Sequence, residues 1–361
     1  MANKIRVLIV DDSALVRQML TAAFNATTDI QVVGTAIDPF AARDKIKQLH
    51  PDVITLDVEM PGMDGISFLS NLMRLRPMPV VMVSTMTTKG CAVTLNALEL
   101  GAVDYVAKPN ATLKGDLSEF TEEVQEKVRI AAGAKVRPLE TRKKKITESK
   151  QLKLSGDTSV IKHFDHIVAI GASTGGTEAI KDVLLDVPAN APPIVITQHI
   201  PANFSASFAE RLDGLCAIRV VEAKHNQPVN PGTAYIAPGG QHLTVHMMNG
   251  HYVCKLDTSP PVNRHRPAVD VLFDSVNKHA HGKAIGVLLT GMGSDGAEGL
   301  LRLRESGCYT IAQDEASSVV WGMPGSAVKL NAADDVLPLT KIAPKIMNLP
   351  LRKSPRAVGS K

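Results

Sequence analysis

The stretch from Ile167 to Gly176, IVAIGASTGG, restricts the possible folds more than any other part of the chain. Four apolar residues predict a buried strand, a glycine-bracketed turn follows, and a helical pattern starts at Thr177. The turn places Ser173 at a corner between strand and helix, beside the free N–H groups of the helix start. Residues 171–175 also fit G-x-S-x-G, the nucleophile elbow, in the strand–turn–helix context that this motif requires.

Two other interpretations of this turn remain open. In one, Ser173 only caps the helix. In the other, the glycines hold the pyrophosphate of a dinucleotide. The dinucleotide fingerprint is poor, because Ser173 replaces its middle glycine and Gln198-His199 stand where the next strand should end in an acidic residue.

Size and composition indicate a protein of two or three domains, since 361 residues suffice for that many hydrophobic cores. No apolar run approaches the ~18 residues that span a bilayer, and the N-terminus enters a strand directly, so we expect neither membrane insertion nor a signal peptide. The four cysteines form no C-x-x-C pair, which predicts reduced thiols in a cytosol and no cysteine zinc site. The net charge of +4 is mild and says little about nucleic acid, whereas the scarcity of aromatic residues disfavours a base-stacking surface.

Residues 4–122 alternate between apolar strands and amphipathic helices, which predicts a doubly wound parallel sheet of the α/β class. Functional sites in such sheets lie at the carboxyl ends of the strands. Five chemically versatile residues fall at these ends, namely Asp11, Asp12, Asp57, Ser84 and Lys108.

Three crowded carboxylates repel one another unless a cation joins them, and their hard oxygen atoms suit Mg²⁺. A metal ion together with Lys108 would stabilise a phosphoryl group that moves onto a carboxylate. The alternative is structural: Asp12 or Ser13 caps a helix and Lys108 forms a salt bridge. The coincidence of all five residues at strand ends favours a phospho-accepting site.

This domain resembles the receiver domain of response regulators. The resemblance implies that Asp57 takes phosphate from a histidine kinase in the presence of Mg²⁺. By the same resemblance, the Mg²⁺ ligands are Asp12, Asp57 and the backbone carbonyl of Glu59 with Asp11 assisting, and the switch residues are Ser84 and Tyr105 together with the lysine at Lys108.

Residues 123–160 are predicted to form a basic, flexible linker. Between Lys135 and Lys153 there are eight Lys or Arg residues against two Glu, with little apolar content. A nucleic-acid patch is the alternative, but no DNA-binding helix pair lies beside the segment.

Residues 161–352 predict a second parallel α/β sheet, and three of its buried strands lead to Ser173, His199 and Asp295. One strand–helix–strand crossover joins the first two strands, and neighbouring strands lie ~4.8 Å apart, so their end residues can come within hydrogen-bond reach. Ser173 and His199 then suit a nucleophile and its base, and Asp295 suits the group that orients the base. The chain order Ser, His, Asp differs from that of α/β-hydrolases.

Two alternatives weaken this triad. In one, Asp295 only caps the helix that starts at Ala297. A single histidine is also usually a surface residue, and only His199 follows a buried strand at a switch point of the sheet. The histidines set aside for this reason are His225, His242, His246, His251, His265, His279 and His281.

The whole chain resembles the chemotaxis methylesterase family, CheB, through the receiver, the linker and the motifs GASTGG, QHIP and TGMGSDG. The resemblance implies that glutamate γ-methyl esters on methyl-accepting chemotaxis receptors are hydrolysed with release of methanol, and that receptor glutamines are deamidated. It implies that Ser173 is the nucleophile, His199 the general base and acid, and Asp295 its orienting residue. The backbone N–H groups of Thr174 and Met292 correspond to the oxyanion donors, and this step needs no metal.

From this resemblance we expect a monomeric cytoplasmic enzyme that is recruited to receptor arrays and phosphorylated by the chemotaxis histidine kinase. The unphosphorylated receiver should cover the esterase face, and phosphorylation should weaken that docking. Two rival classes are a regulator that docks partners through the basic linker and a nucleotide-dependent oxidoreductase. A serine-reactive probe that labels Ser173 would separate the esterase from both.

Overall fold

The structure is a computed structural model that describes residues 4–60, 64–84, 88–109, 116–136 and 166–349. The chain divides into two compact units, Met1–Lys143 and Lys144–Lys361. Each unit is built on a parallel sheet with helices between successive strands, which confirms the predicted α/β class. In the part of the chain that is described, no helix is long and apolar enough to cross a bilayer.

The first unit alternates strictly between strands and helices. Its elements are β1 (Ile5–Val10), α1 (Ala14–Asn25), β2 (Ile30–Ala36), α2 (Pro39–Leu49), β3 (Val53–Asp57), α3 (Gly65–Leu75), β4 (Val80–Ser84), α4 (Thr88–Leu100), β5 (Asp104–Ala107) and α5 (Asp116–Ala132). The strand order is β2-β1-β3-β4-β5, so the direction of winding reverses between β1 and β3. Ligand sites lie at such a switch point, and here the carboxyl ends of β1 and β3 form it.

Helix α5 shows that the predicted boundary at residues 122 and 123 is wrong. The helix continues to Ala132, and the side chains of Val124, Val128 and Ala131 are fully buried. These residues repeat at helical spacing and form one apolar face, whereas the charged residues between them made the segment look like the start of a linker. The densest basic part of the expected linker, residues 137–153, lies outside the described residues.

The second unit contains a larger parallel sheet and one antiparallel hairpin. Its elements are β6 (Ile167–Ala172), α6 (Gly176–Leu185), β7 (Ile194–Gln198), α7 (Ala202–Leu215), β8 (Arg219–Glu222), β9 (Thr233–Ile236), β10 (His242–Met248), β11 (His251–Asp257), α8 (Val269–Ala280), β12 (Ala284–Leu288), α9 (Ala297–Glu305), β13 (Tyr309–Gln313), α10 (Met323–Lys329), β14 (Asp335–Leu337) and α11 (Leu339–Asn348). The sheet order is β14-β13-β12-β6-β7-β9-β8, and β10 and β11 pair with each other in a separate two-stranded sheet.

Strand β6 lies at the centre of this sheet and is fully buried along its length. It pairs in parallel with β7 on one side and with β12 on the other. The inner faces of these strands share a core with α8 and with the hairpin. The three strands that were predicted to carry the site are therefore direct neighbours.

Candidate active site

The carboxyl ends of β6, β7 and β12 bring the three predicted side chains to one edge of the sheet. Ser173 directly follows β6, His199 directly follows β7, and Asp295 lies in the loop after β12. The backbone N–H of His199 donates to the carbonyl of Ala172 at 3.1 Å, which ties the two strand ends together. Residues far apart in the sequence thus meet because their strands are adjacent and parallel.

His199 bridges Ser173 and Asp295 through its two ring nitrogens. Nδ1 lies 3.0 Å from Oγ of Ser173, and Nε2 lies 2.8 Å from Oδ2 of Asp295. With the ring proton on Nε2, where the carboxylate accepts it, Nδ1 directs its lone pair at the serine hydroxyl. This is the protonation state that a general base needs.

The carboxylate of Asp295 is held by four donors. They are the ring of His199, the side-chain amide of Asn263 at 2.9 Å, and the backbone N–H groups of Val269 at 2.7 Å and Asp270 at 3.1 Å. Burial acts to raise the pKa of Asp295, but the hydrogen bonds and the positive charge that His199 can carry outweigh it and hold the pKa at about 2. The group is therefore an anion at any working pH.

Asp295 does cap a helix, but not the one at Ala297. The residue in the N-cap position of α9 is Gly296, and no side-chain hydrogen bond caps that helix. Instead, the Asp295 carboxylate accepts the free N–H groups at the start of α8, whose positive end favours an anion. The capping role and the contact with His199 coexist.

Two neighbours of the triad were not predicted as site residues from the sequence. The amide of Asn263 also donates to Oδ2 of Asp270 at 2.8 Å, so it links two carboxylates. Burial, with the nearby charge of Asp295 adding to it, raises the pKa of Asp270. His265, which the sequence analysis set aside, lies stacked on the ring of His199. Neither Asn263 nor His265 follows a buried strand, so the strand-end rule gave no signal for them.

The loop after β12 also helps to hold Ser173 in place. The N–H of Ser173 donates to the carbonyl of Thr290 at 3.0 Å, and the hydroxyl of Thr290 donates to the carbonyl of Thr174 at 3.1 Å. A Cβ atom on Gly291 would lie 2.7 Å from Cβ of Ser173, so only glycine allows this approach. The loop therefore places Met292 close to the nucleophile turn, and the oxyanion role of Thr174 and Met292 stays a prediction.

The side chain of Gln198 connects the ends of β6 and β7. Its buried side-chain amide donates to the carbonyl of Ser173 at 2.9 Å and to that of His199 at 3.1 Å. The sequence analysis used Gln198 only as evidence against dinucleotide binding. Its amide contributes to keeping Ser173 and His199 at a fixed separation.

The first unit carries a second cluster of chemically active groups at its switch point. Asp11, Asp12 and Asp57 each offer a carboxylate oxygen, and these oxygen atoms lie within 4.8 Å of one another. The ammonium of Lys108 lies 2.8 Å from Oδ2 of Asp57 and 2.9 Å from Oδ2 of Asp11. Burial raises the pKa of Asp57 to about 6, although its hydrogen bond with Lys108 acts in the opposite direction.

The structural alternatives for this cluster are also present. The hydroxyl of Ser13 caps α1 by accepting the N–H of Val16 at 3.4 Å, and Lys108 forms the ion pairs just described. Neither contact removes the acidic cluster. The backbone N–H of Glu59 donates to Oδ1 of Asp57 at 3.3 Å, so the loop after β3 lies against the buried carboxylate.

The two predicted switch hydroxyls lie in neighbouring strands. Ser84 ends β4, and Tyr105 lies in β5, where it pairs with Met82. Both side chains are buried, and burial raises the pKa of the Tyr105 hydroxyl. The ammonium of Lys127 lies 4.8 Å from the centre of the Tyr105 ring. The switch function of Ser84 and Tyr105 stays a prediction.

A Ser–His–Asp arrangement on one parallel sheet and an acidic cluster with a lysine on the other are typical of a serine hydrolase that carries a receiver-type domain. Two family models match the chain accordingly: "CheB methylesterase" over residues 168–346 and "Response regulator receiver domain" over residues 7–116. The match to the second unit includes all three residues of the triad.

Individual relatives match nearly the whole chain. A protein-glutamate methylesterase/protein-glutamine glutaminase of Hahella chejuensis is 56% identical over 343 residues, which covers 94% of this chain and 95% of the relative. A protein of the same description from Hydrogenovibrio crunogenus is 50% identical and covers 96% and 99%. The crystal structure of the Thermotoga maritima CheB methylesterase catalytic domain is 42% identical, with a TM-score of 0.50, over 50% of this chain and 97% of that one. The chain belongs to the CheB methylesterase family, which confirms the resemblance seen in the sequence.

Proposed function

We propose that this protein hydrolyses glutamate γ-methyl esters on methyl-accepting chemotaxis receptors, with release of methanol, and that it deamidates receptor glutamines at the same site. The observation that carries the proposal is the continuous hydrogen-bond chain from Ser173 through His199 to Asp295, with distances of 3.0 and 2.8 Å. Its relatives' descriptions as methylesterase and glutaminase supply the substrate class. Ester and amide hydrolysis use the same acyl transfer, so one site serves both.

In the first half of the reaction, Oγ of Ser173 attacks the side-chain carbonyl carbon while Nδ1 of His199 takes the hydroxyl proton. The imidazolium that forms is stabilised by the anionic Asp295 at Nε2. His199 then gives the proton to the leaving group: the methoxy oxygen of an ester, which departs as methanol, or the amide nitrogen of a glutamine, which departs as ammonia. In the second half, His199 takes a proton from a water molecule that attacks the acyl-serine. It then returns this proton to Oγ of Ser173, and the glutamate side chain is released.

The negative charge on the carbonyl oxygen needs donors that are already in place. We assign this task to the backbone N–H groups of Thr174 and Met292, since hydrogen bonds through Thr290 and the close approach of Gly291 hold their two loops together. Such preorganised donors lower the barrier by on the order of 3 kcal/mol each.

For the first unit, we propose that Asp57 accepts a phosphoryl group from the chemotaxis histidine kinase and that this modification raises the esterase rate. The acidic cluster fits Mg²⁺, because its carboxylate oxygens are hard donors that repel one another without a cation. Asp11, Asp12, Asp57 and the carbonyl of Glu59 would hold the ion, which neutralises charge during the transfer. Lys108, which pairs with Asp57, would stabilise the added phosphoryl oxygens, and Ser84 and Tyr105 are the proposed switch residues.

The proposed setting is a monomeric enzyme of the cytoplasm, recruited to receptor arrays. Its partners are the chemoreceptors, as substrate, and the kinase, as phosphodonor. The proposal involves no nucleic acid and no insertion into a membrane, and the esterase itself needs no cofactor.

The decisive experiment measures methanol release from purified, methylated receptor with and without a small phosphodonor. Ser173→Ala and His199→Gln should each reduce kcat on the order of 10⁴-fold or more, and the double variant should be no worse, because nucleophile and base act as one unit. Asp57→Asn should keep the basal rate and lose only its stimulation by the phosphodonor. Substantial turnover by a folded Ser173→Ala variant would refute the serine mechanism.

A further inference from the structure

A second histidine covers one face of the ring of His199. The imidazole of His265 lies nearly parallel to it, with the ring centroids 3.6 Å apart and an angle of 17° between the planes. His265 itself is half-buried. The proposed reaction uses both nitrogens of His199 but gives His265 no part.

A tight turn with an unusual backbone brings His265 to this place. The N–H of His265 donates to the carbonyl of Val262 at 2.9 Å, and the reverse bond measures 3.1 Å. Between them, Asn263 and Arg264 have φ angles of 52° and 67°, as in a type I′ turn. Residues other than glycine rarely adopt this conformation, and strain of this kind concentrates at functional sites.

The turn formed by residues 262–265 contacts both Asp295 and His199. Asn263 donates to Oδ1 of Asp295 at 2.9 Å, and His265, two residues further on, stacks on His199. Two further titratable groups contact the same loop: Asp270, which accepts from the amide of Asn263, and His242, whose Nδ1 accepts the N–H of Ala268 at 3.2 Å.

The two hydrogen bonds of His199 leave one motion of its ring weakly restrained. The ring can rotate about the line that joins Nδ1 and Nε2. This rotation leaves both nitrogens in place, but it swings the Nδ1 lone pair and the Nε2–H bond out of line with Ser173 and Asp295. A flat ring packed against one face resists this rotation.

We propose that His265 is a positioning residue of the esterase, whose flat imidazole ring fixes the plane of His199 so that the Nδ1 lone pair and the Nε2–H bond stay aligned with Ser173 and Asp295. This rests on the proposed function, because it takes Ser173 and His199 as nucleophile and base. The important property of His265 is its flat ring and not its ability to carry a charge.

The test uses the full-length protein with His265→Ala, His265→Phe and, as a matched control, His279→Ala. His279 lies on α8 and contacts His246 at a centroid distance of 4.9 Å, outside the triad. For each variant the rate at which a fluorophosphonate labels Ser173 is measured by mass spectrometry between about pH 5 and about pH 9, together with methanol release. Circular dichroism verifies folding; if His265→Ala does not fold, His265→Leu, which fills the space without a flat ring, replaces it.

His265→Ala should slow both reactions at least about tenfold at the pH plateau, since small misalignments of a base are costly. His265→Phe should stay within about threefold of the unaltered protein with the same pH midpoint, and His279→Ala should be unchanged. A loss below tenfold for His265→Ala, a larger loss than threefold for His265→Phe, or a shifted midpoint in His265→Phe would overturn the proposal. Unlabelled Ser173 in the unaltered protein would instead refute the proposed function.

Discussion

Replacing Asp57 by asparagine should make the first unit more stable while it abolishes phosphorylation. The carboxylate of Asp57 is 3% exposed and lies beside Asp11, so it carries a charge where charge is unfavourable. Its pKa is raised from 3.8 to about 6, because the loss of hydration on burial exceeds the effect of Lys108. Asparagine has a similar shape and no charge, so it removes this penalty.

The size of the expected stabilisation follows from the pKa of Asp57. At about 1.4 kcal/mol for each pH unit, the rise from 3.8 to about 6 corresponds to about 3 kcal/mol of lost stability above pH 6. This is an upper limit for the gain in Asp57→Asn, since Lys108 loses its ion pair with Asp57. We therefore expect about 1–3 kcal/mol at neutral pH, or on the order of 4–10 °C in the melting temperature of the unit.

The sign of the pH dependence is fixed by the same numbers. Between about pH 4 and about pH 6 the folded state binds the proton and the unfolded state does not, so the penalty grows as the pH rises. Asp57→Asn should thus be stabilised fully above about pH 6 and should lose its advantage as the pH falls towards 4.

The assay is scanning calorimetry of the full chain in the presence of a metal chelator. Fluorescence of Trp321, the only tryptophan, identifies the transition of the second unit. Asp44→Asn is a suitable control, because Asp44 is exposed and pairs only with exposed Arg43 among the ion pairs of the described residues. An Asp57→Asn protein that is no more stable at neutral pH, or equally stabilised at pH 4, would contradict the burial penalty.

Three further predictions follow from the site and the linker. Asp295→Asn should keep weak methanol release, well above that of Ser173→Ala, because the orienting carboxylate contributes less than the nucleophile; equal loss in both would contradict this order. Gly291→Ala should slow Ser173 labelling strongly and lower the free energy of unfolding by about 1–3 kcal/mol, since the new Cβ would lie 2.7 Å from Cβ of Ser173, and normal labelling would argue against close packing of the two loops. Limited trypsin digestion should cut first between Lys135 and Lys153 and release an active fragment with Ser173, and no preferred cleavage there would count against the predicted linker.

The sequence was sufficient for the sheet positions of the triad because each strand ends in an abrupt change from apolar to polar residues. Val195 and Ile196 are completely buried, whereas His199, three residues after Ile196, is partly exposed at the edge of the sheet. The residue types themselves indicate this change from buried to exposed positions. The same rule located Asp57 at the end of β3.

The rest of the site depends on tertiary placement that residue types do not encode. His265 belongs to an irregular loop, and nothing in its neighbourhood indicates that a turn of positive φ will lay it on His199. The sequence pattern also places the end of the first domain too early, at residue 122, for a related reason. In α5 the apolar residues Val124 and Val128 are few among charged ones, and only packing in the folded unit distinguishes this helix from a linker.

The central position of β6 has a consequence for how the second unit is made. One of its edges can pair with β7 early in synthesis, but the other edge must wait until residues 284–288 of β12 leave the ribosome. Until then an apolar strand exposes unpaired backbone groups, which are a template for pairing with other chains. Asp295 arrives only after that strand, so a partly synthesised chain with Ser173 and His199 already in place has no complete triad.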